Sequence, residues 1–234
     1  SDLLLQAYSE LPNTPKFVEY AHEVAAALED FAQGFSEHSG GVMCYPHFLL
    51  HGLHSDNATG VASIIRRNGR IIHETRAARE QIEEQIFPRQ LNDEYRLSRE
   101  STISDDYWGI SAAIKSKELG DEYITKAGFF LDMSARELYI IHVQGRKPVT
   151  GDGDRKYYHE AAGKLQMSPR VAVLRETLRI AEEIEFKKVR MIKAYEHPFA
   201  LEEHRGYQAN HDRDARKAGL CEETDVYLEK TLVS

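Results

Sequence analysis

The chain has few cysteines, no surplus of positive charge and no long apolar run, and each absence excludes a class of protein. Only two of its 234 residues are cysteines, Cys44 and Cys221. Two distant thiols cannot form a disulfide framework or supply all four ligands of a structural zinc site. We therefore expect both to be reduced. No apolar stretch approaches the roughly 18 to 20 residues that cross a bilayer, so we expect no membrane span.

The charge balance argues against a dedicated nucleic-acid binder. The net charge is −8 at pH 7, with 30 lysines and arginines against 38 aspartates and glutamates. Binding to a phosphate backbone depends on clustered lysine and arginine instead. The first residues, Ser1 to Gln6, lack the basic and apolar regions of a secretory leader. We expect a cytoplasmic protein whose partner is a small molecule or an acyl carrier.

Residues 1–100 are predicted to be a mainly helical region that covers one face of a sheet. Apolar residues at steps of three and four predict an amphipathic helix over 15–35. Charges of alternating sign at 93–100 are typical of a solvated surface.

The segment before Pro88 contains conflicting signals. Asn68-Gly69 separates two short apolar runs within 61–73, and this dipeptide favours the two-residue turn of a β-hairpin. Residues 75–87 are rich in helix formers, and Pro88 ends that pattern. The sequence therefore predicts a hairpin followed by a helix.

Residues 101–234 show a regular alternation of strand and helix patterns. Strands are predicted at 107–115, 123–132, 137–144, 187–195 and 224–232, and helices at 155–166, 169–185 and 206–217. Ser168 and Pro169 provide the N-cap and first residue of the long helix, and Gly219 follows the last helix. This order predicts an α+β fold with a mixed, mostly antiparallel sheet and flanking helices. The strands on either side of the long helix should be parallel neighbours.

Four segments within residues 107–232 carry a family resemblance. They are Leu-Tyr-Ile-Ile-His-Val-Gln-Gly-Arg at 138–146, residues 158–163, Ser-Pro-Arg at the start of the long helix, and residues 207–219. Together they resemble the VirK-like family of bacterial proteins. Members of that family are associated with envelope stress and virulence without an agreed reaction. The resemblance implies a non-catalytic ligand-binding or interaction module.

The order of strands and helices is also similar to the acyl-CoA N-acetyltransferase fold. That resemblance implies an acyltransferase using acyl-CoA or acyl-carrier phosphopantetheine as donor and an amine or hydroxyl as acceptor. A strand end, a glycine-containing loop, cations and a helix start are the features that a phosphate group requires. The candidate cofactor-binding residues are Gln144, Gly145, Arg146, Lys147, Arg155 and Lys156. The alternative is that residues 151–154 form only a polar turn.

Three residues are candidates for proton transfer. Glu196 and His197 follow a strand predicted to border a ligand crevice, where His197 could act as general base with Glu196 orienting it. Tyr227 on the last strand could protonate a leaving thiolate, although packing is the alternative role. Strict alternation along 137–144 places His142 on the same face as Leu138 and Ile140, which favours a core histidine over a site residue.

His47, His51 and His54 are the remaining candidate cluster. Their spacing would align three imidazoles on an unbroken helix, a pattern suited to zinc in a metal-dependent hydrolase. Pro46 and Gly52 weaken that helix, and no glutamate is adjacent to His47. Surface histidines are the favoured interpretation, and we expect no metal.

Overall fold

The computed structural model describes residues 58–100, 109–118, 122–145, 153–194 and 205–232. The helices in these ranges are α1 (Ala58–Ile86), α2 (Gly153–Leu165), α3 (Pro169–Glu183) and α4 (Arg205–Ala218). The strands are β1 (Arg89–Gln90), β2 (Tyr95–Arg99), β3 (Ile110–Ser116), β4 (Tyr123–Asp132), β5 (Glu137–Gly145), β6 (Lys188–Ile192), β7 (Glu222–Glu223) and β8 (Tyr227–Thr231).

All eight of these strands form one open sheet. Its order is β1-β2-β3-β4-β5-β6-β8-β7. Every neighbouring pair is antiparallel except β5 and β6, which are parallel and are connected through α2 and α3. The predicted α+β class, the mostly antiparallel sheet and the parallel pair around the long helix are therefore confirmed.

Residues on the two faces of the sheet belong to two buried clusters. The first face carries Phe129 and Ile140, which are buried with the apolar side chains of α3. The second face carries Phe130, Tyr139 and Ile141, which are buried in a smaller cluster. Adjacent residues of a strand point to opposite faces, so the pairing register assigns the other strand residues to one face or the other.

The long helix α3 forms as its capping residues predict. The hydroxyl of Ser168 accepts a hydrogen bond from the N–H of Val171 at 3.2 Å, and Pro169 is the first helical residue. Leu174 and Leu178 are buried against the sheet. Such a side chain contributes roughly 1.5 to 3 kcal/mol relative to exposure, so the apolar face determines how α3 packs.

The C-terminal end of α4 also matches its prediction. Gly219 has a φ of +115°, a conformation that residues with a Cβ rarely adopt. The N–H of Gly219 bonds to the carbonyl of Arg216, and the N–H of Leu220 bonds to that of Ala215, both at 3.1 Å. These two bonds form a Schellman motif, which satisfies carbonyls that the helix end leaves unpaired.

One long helix, α1, replaces the hairpin predicted around Asn68-Gly69. Asn68 is buried within this helix, and Ile71 and Ile72 pack with Phe130 on the second face of the sheet. A glycine inside a helix costs only about 1 kcal/mol relative to alanine. Burial of two isoleucines outweighs that cost, so the local turn signal is overridden by tertiary packing. The helix predicted over 75–87 is confirmed as the second half of α1.

Residues 93–100 are not simply a solvated surface, as their charges had suggested. Residues 95–99 form β2, which pairs with β3, and Tyr95 and Leu97 are buried. Charged or polar side chains alternate with these two, which is the pattern of a half-buried strand. The region 1–100 therefore contributes strands to the sheet as well as a helix. The helix predicted over 15–35 lies outside the described residues.

Candidate functional site

The pairing between the two parallel strands ends before β5 does. β5 and β6 are paired from Glu137 and Lys188 to Ile140 and Met191. β5 then continues to Gly145, and residues 141–145 are bordered by β4 on one side only. Within the described part of the chain, the other edge of these residues has no strand partner. We call this unpaired edge, together with the end of β6, the β5–β6 opening.

A β-bulge lies at the point where the pairing ends. Phe129 of β4 is opposite Ile140, and the next residue of β4, Gly128, is opposite His142, so Ile141 is the extra residue. A bulge bends its strand and increases the local twist. The bulge residue directly follows Ile140, the last residue of β5 that pairs with β6.

Side chains of α4 hold the end of β6 beside the opening. Buried His211 hydrogen-bonds through Nε2 to the carbonyl oxygen of Ile192 at 3.0 Å. The carboxylate of Asp212 accepts the N–H of Ala194 at 2.9 Å. Backbone groups beyond the last β5–β6 pair are thus satisfied by a helix instead of a neighbouring strand.

Two arginines near the opening form ion pairs with carboxylates. Arg170, at the start of α3, forms an ion pair with Asp214 of α4 at 3.1 Å. Arg190 of β6 forms ion pairs with Glu137 at 3.2 Å and with Glu229 at 3.0 Å. These carboxylates offset the positive charge of both side chains. Neither arginine is therefore a candidate for binding a ligand phosphate.

Tyr139 of β5 and Tyr227 of β8 contact each other across β6, near the β5–β6 opening. Tyr227 of β8 is opposite Ile192 of β6, yet its ring reaches Tyr139 of β5, with ring centroids 5.9 Å apart at an interplanar angle of 71°. The guanidinium of Arg190 lies over both rings. The hydroxyl of Tyr139 donates to Glu137 at 2.6 Å and accepts from Arg67. Burial raises the pKa of Tyr227, so its phenol stays protonated at neutral pH.

The bulge changes the face on which His142 lies. Strict alternation predicts that His142 shares the face of Ile140, but its partner Gly128 belongs to the opposite, second face. The predicted face is therefore wrong, because one inserted residue reverses the alternation. His142 is buried on the second face, beside the row that joins Gln144 to Lys126.

The second face also carries buried polar side chains that the sequence did not single out. Lys126 is 1% exposed, and its ammonium lies 5.5 Å from the ring centroid of Tyr123. Ser111 lies opposite Gly128 and is 2% exposed, and its hydroxyl has no hydrogen-bond partner among the described residues. Period-two alternation of polar with apolar residues was the available signal, and it does not separate a site from a solvated strand face.

The structure places five of the predicted site residues on described strands and helices. Gln144 and Gly145 end β5 at the opening, and Tyr227 lies beside it. Arg155 and Lys156 belong to the first turn of α2, where Lys156 is exposed. Seven predicted residues lie outside the described residues, namely Arg146, Lys147, Glu196, His197, His47, His51 and His54. The described residues contain no group of three or more histidine, cysteine or acidic side chains arranged to hold a metal ion.

Each of the described helices is too short or too polar to cross a bilayer. Comparisons with protein-family models, with curated proteins and with solved structures found no match. The function is therefore argued from the residues and geometry of this chain.

Proposed function

We propose that the protein is an acyltransferase that takes an acyl group from acyl-CoA or acyl-carrier phosphopantetheine and passes it to an amine or hydroxyl. The observation that carries this proposal is the β5–β6 opening. Two parallel strands lose their pairing after Ile140 and Met191, beside a bulge, and the next described element after β5 is α2. The antiparallel strands β3 to β5, followed by helix and parallel strand, support an acetyltransferase-like fold.

The edge of β5 beyond Ile140, which pairs with no other strand of the described residues on that side, is suited to the pantetheine arm of the donor. Residues 141–145 present backbone N–H and C=O groups along one edge, and pantetheine carries two amides in an extended chain. Such a chain can add to a sheet edge in the way an extended peptide does. The phosphate end of the donor would then lie towards Gly145 and the N-terminus of α2, where Lys156 is exposed.

The transfer itself needs one proton acceptor and one proton donor. The acceptor nitrogen or oxygen attacks the thioester carbonyl, loses its proton to a general base, and the thiolate leaves. Tyr227, whose phenol is neutral at neutral pH, protonates that thiolate, and the resulting phenolate regains a proton from the protonated base through solvent. The base is the sequence-predicted His197 with Glu196, and His142 on the bulged strand is a second candidate.

Calorimetric titration with coenzyme A and acetyl-CoA tests the proposal. Gly145 has open space around it, since an added Cβ would meet nothing within 4 Å. Gly145→Trp should therefore block the opening without changing the melting temperature, whereas Gly145→Ala should bind the donor normally. Arg146→Ala should weaken binding by about ten- to a hundredfold, since a charge-assisted contact contributes about 1.5 to 3 kcal/mol.

Turnover separates an enzyme from a binding module. Release of free thiol from acetyl-CoA in the presence of amines should be slowed in Tyr227→Phe, with donor affinity unchanged. A folded protein that binds neither coenzyme A nor acetyl-CoA would contradict the proposal. Binding without thiol release in the presence of any acceptor would favour the non-catalytic, VirK-like module instead.

A further inference from the structure

A separate cavity lies between the last turns of α1 and the strands β2 and β3. Its volume is about 430 Å³, which is ample for a molecule of amino-acid size. Glu80 and Glu84 of α1 line one wall, and Arg96 and Ser98 of β2 line another. Phe87 adds an apolar surface between them. The cavity is open to solvent on one side and presents carboxylates and a guanidinium to the same space.

Glu80 and Glu84 are the two exposed carboxylates on the helix wall. Glu80 and Glu84 are one helical turn apart, a spacing at which like charges repel. Neither forms an ion pair with another of the described residues. Glu83 differs, because it is buried and paired with Arg79 at 2.9 Å and with Arg99 at 3.2 Å. That network holds the end of α1 against β2, so the two carboxylates are presented on a fixed frame.

Arg96 is the corresponding exposed cation on the strand wall. Arg96 lies opposite Lys115 of β3, and Lys115 is paired with Glu100 at 2.9 Å. Arg96 itself is exposed and has no ion-pair partner in the described part of the chain. Ser98 lies on the same face of β2 as Arg96, two residues along. A guanidinium with a neighbouring hydroxyl is well suited to bind a carboxylate.

We propose that this cavity binds a basic amino acid. Its cationic side chain lies between Glu80 and Glu84, and its carboxylate contacts Arg96 and Ser98. Glu83 and Arg99 pair with each other across the cavity, whereas Glu80, Glu84 and Arg96 form no ion pair with another of the described residues, so a ligand with the complementary charges contacts both walls at once.

The cavity is distinct from the β5–β6 opening, and the inference does not rest on acyl transfer. Ser98, Ala113, Lys126 and Gln144 lie in one row across four strands. Three strand spacings separate the ends of that row, which is about 14 Å. An amino acid bound near Ser98 therefore does not reach the end of β5.

Calorimetric titration of the full chain with L-arginine and L-lysine tests the proposal. Both should bind saturably and more weakly as salt is added. Agmatine, which lacks the carboxylate, and norleucine, which lacks the cationic side chain, should bind more weakly. Glu84→Gln and Arg96→Gln should each reduce affinity about five- to tenfold. Asp225→Asn removes an exposed carboxylate in the turn before β8 and should leave affinity unchanged.

Two results would overturn the inference. One is the absence of saturable binding of both amino acids to the folded protein. The other is binding that Glu84→Gln and Arg96→Gln leave unaltered. Titration of the same two variants with coenzyme A gives an independent readout of the opening, so failure at one site is distinguished from failure at the other.

Discussion

Replacing Thr75 with valine should reveal how α1 closes the edge of β4. Thr75 is fully buried, and its hydroxyl accepts the backbone N–H of Leu131 at 2.7 Å. The same hydroxyl donates to the carbonyl of Ile71 at 2.8 Å and lies 3.2 Å from the carbonyl of Leu131. The last pair between β3 and β4 joins Ile110 to Phe129. Beyond that pair, a threonine of α1 takes the place of a neighbouring strand.

Thr177 of α3 supplies a matched control. It is also fully buried, and its hydroxyl donates to the carbonyl of Val173 at 2.9 Å. Thr177→Val leaves no N–H without an acceptor, so it should cost well under about 1 kcal/mol. Thr75→Val leaves the N–H of Leu131 buried without an acceptor, which costs about 1 to 3 kcal/mol. The isosteric change should therefore destabilise the protein clearly more at position 75.

Urea unfolding measures the difference. The two valine variants should share the slope m, while the midpoint should fall further for Thr75→Val. Thr75→Ser keeps the hydroxyl and should retain more stability than the valine variant. Hydrogen exchange at the Leu131 amide should accelerate only when the hydroxyl is removed. Equal free energies of unfolding for Thr75→Val and Thr177→Val would refute the assignment of this hydroxyl as a partner of the strand.

The remaining predictions concern glycine positions and pH. An added Cβ at Gly109 would lie 2.7 Å from the carbonyl oxygen of Phe129, so Gly109→Ala should destabilise the protein by about 1 to 3 kcal/mol. Gly163→Ala, in open space on α2, should stabilise it by about 0.4 to 1 kcal/mol, and thermal melts with the reverse order would contradict both. Burial raises the pKa of Tyr139 and Tyr227 above the unfolded value of about 10. Their contribution to stability is full below about pH 10 and is lost as pH rises through the folded pKa, so stability should fall there. Phenolate absorbance should show a high-pH component that Tyr227→Phe reduces, and a single titration near pH 10 would count against it.

Much of the C-terminal half could be predicted because its signals are local. Ser168 and Pro169 satisfy or avoid unpaired N–H groups at a helix start, and Gly219 supplies a positive φ at a helix end. These preferences act within one turn of helix, so they are legible in a single sequence. The alternation over 123–132 likewise predicts a strand from neighbouring residues alone, and β4 spans these residues.

The errors arise where distant parts of the chain decide the outcome. Asn68-Gly69 favours a turn locally, yet Ile71 and Ile72 gain more by packing on the second face of the sheet. The charges of residues 93–100 predict a solvated surface, although residues 95–99 form β2. Two residues of β2 are buried because the strand pairs with β3, which is distant in the sequence. A charge pattern indicates which residues of a segment are exposed, but it does not indicate the strand with which the segment pairs.

The candidate site could be predicted only in part for the same reason. The residues around Gln144 and Gly145 predict that these two end a strand. The sequence pattern of the last strand predicts that Tyr227 lies on it. The opening depends instead on where β5 stops pairing with β6, some fifty residues later in the chain. No residue type marks that point, because isoleucine stands both at the last paired position, Ile140, and at the next, Ile141.

A single inserted residue links the geometry of the opening to the chemistry beside it. Without Ile141 as a bulge, His142 would continue the alternation and lie on the first face, among the apolar side chains under α3. Burying an imidazole there without partners would be costly. With the bulge, His142 lies instead on the face that carries Lys126 and Tyr139. The bulge at the end of the β5–β6 pairing therefore also determines the face of the sheet on which His142 lies.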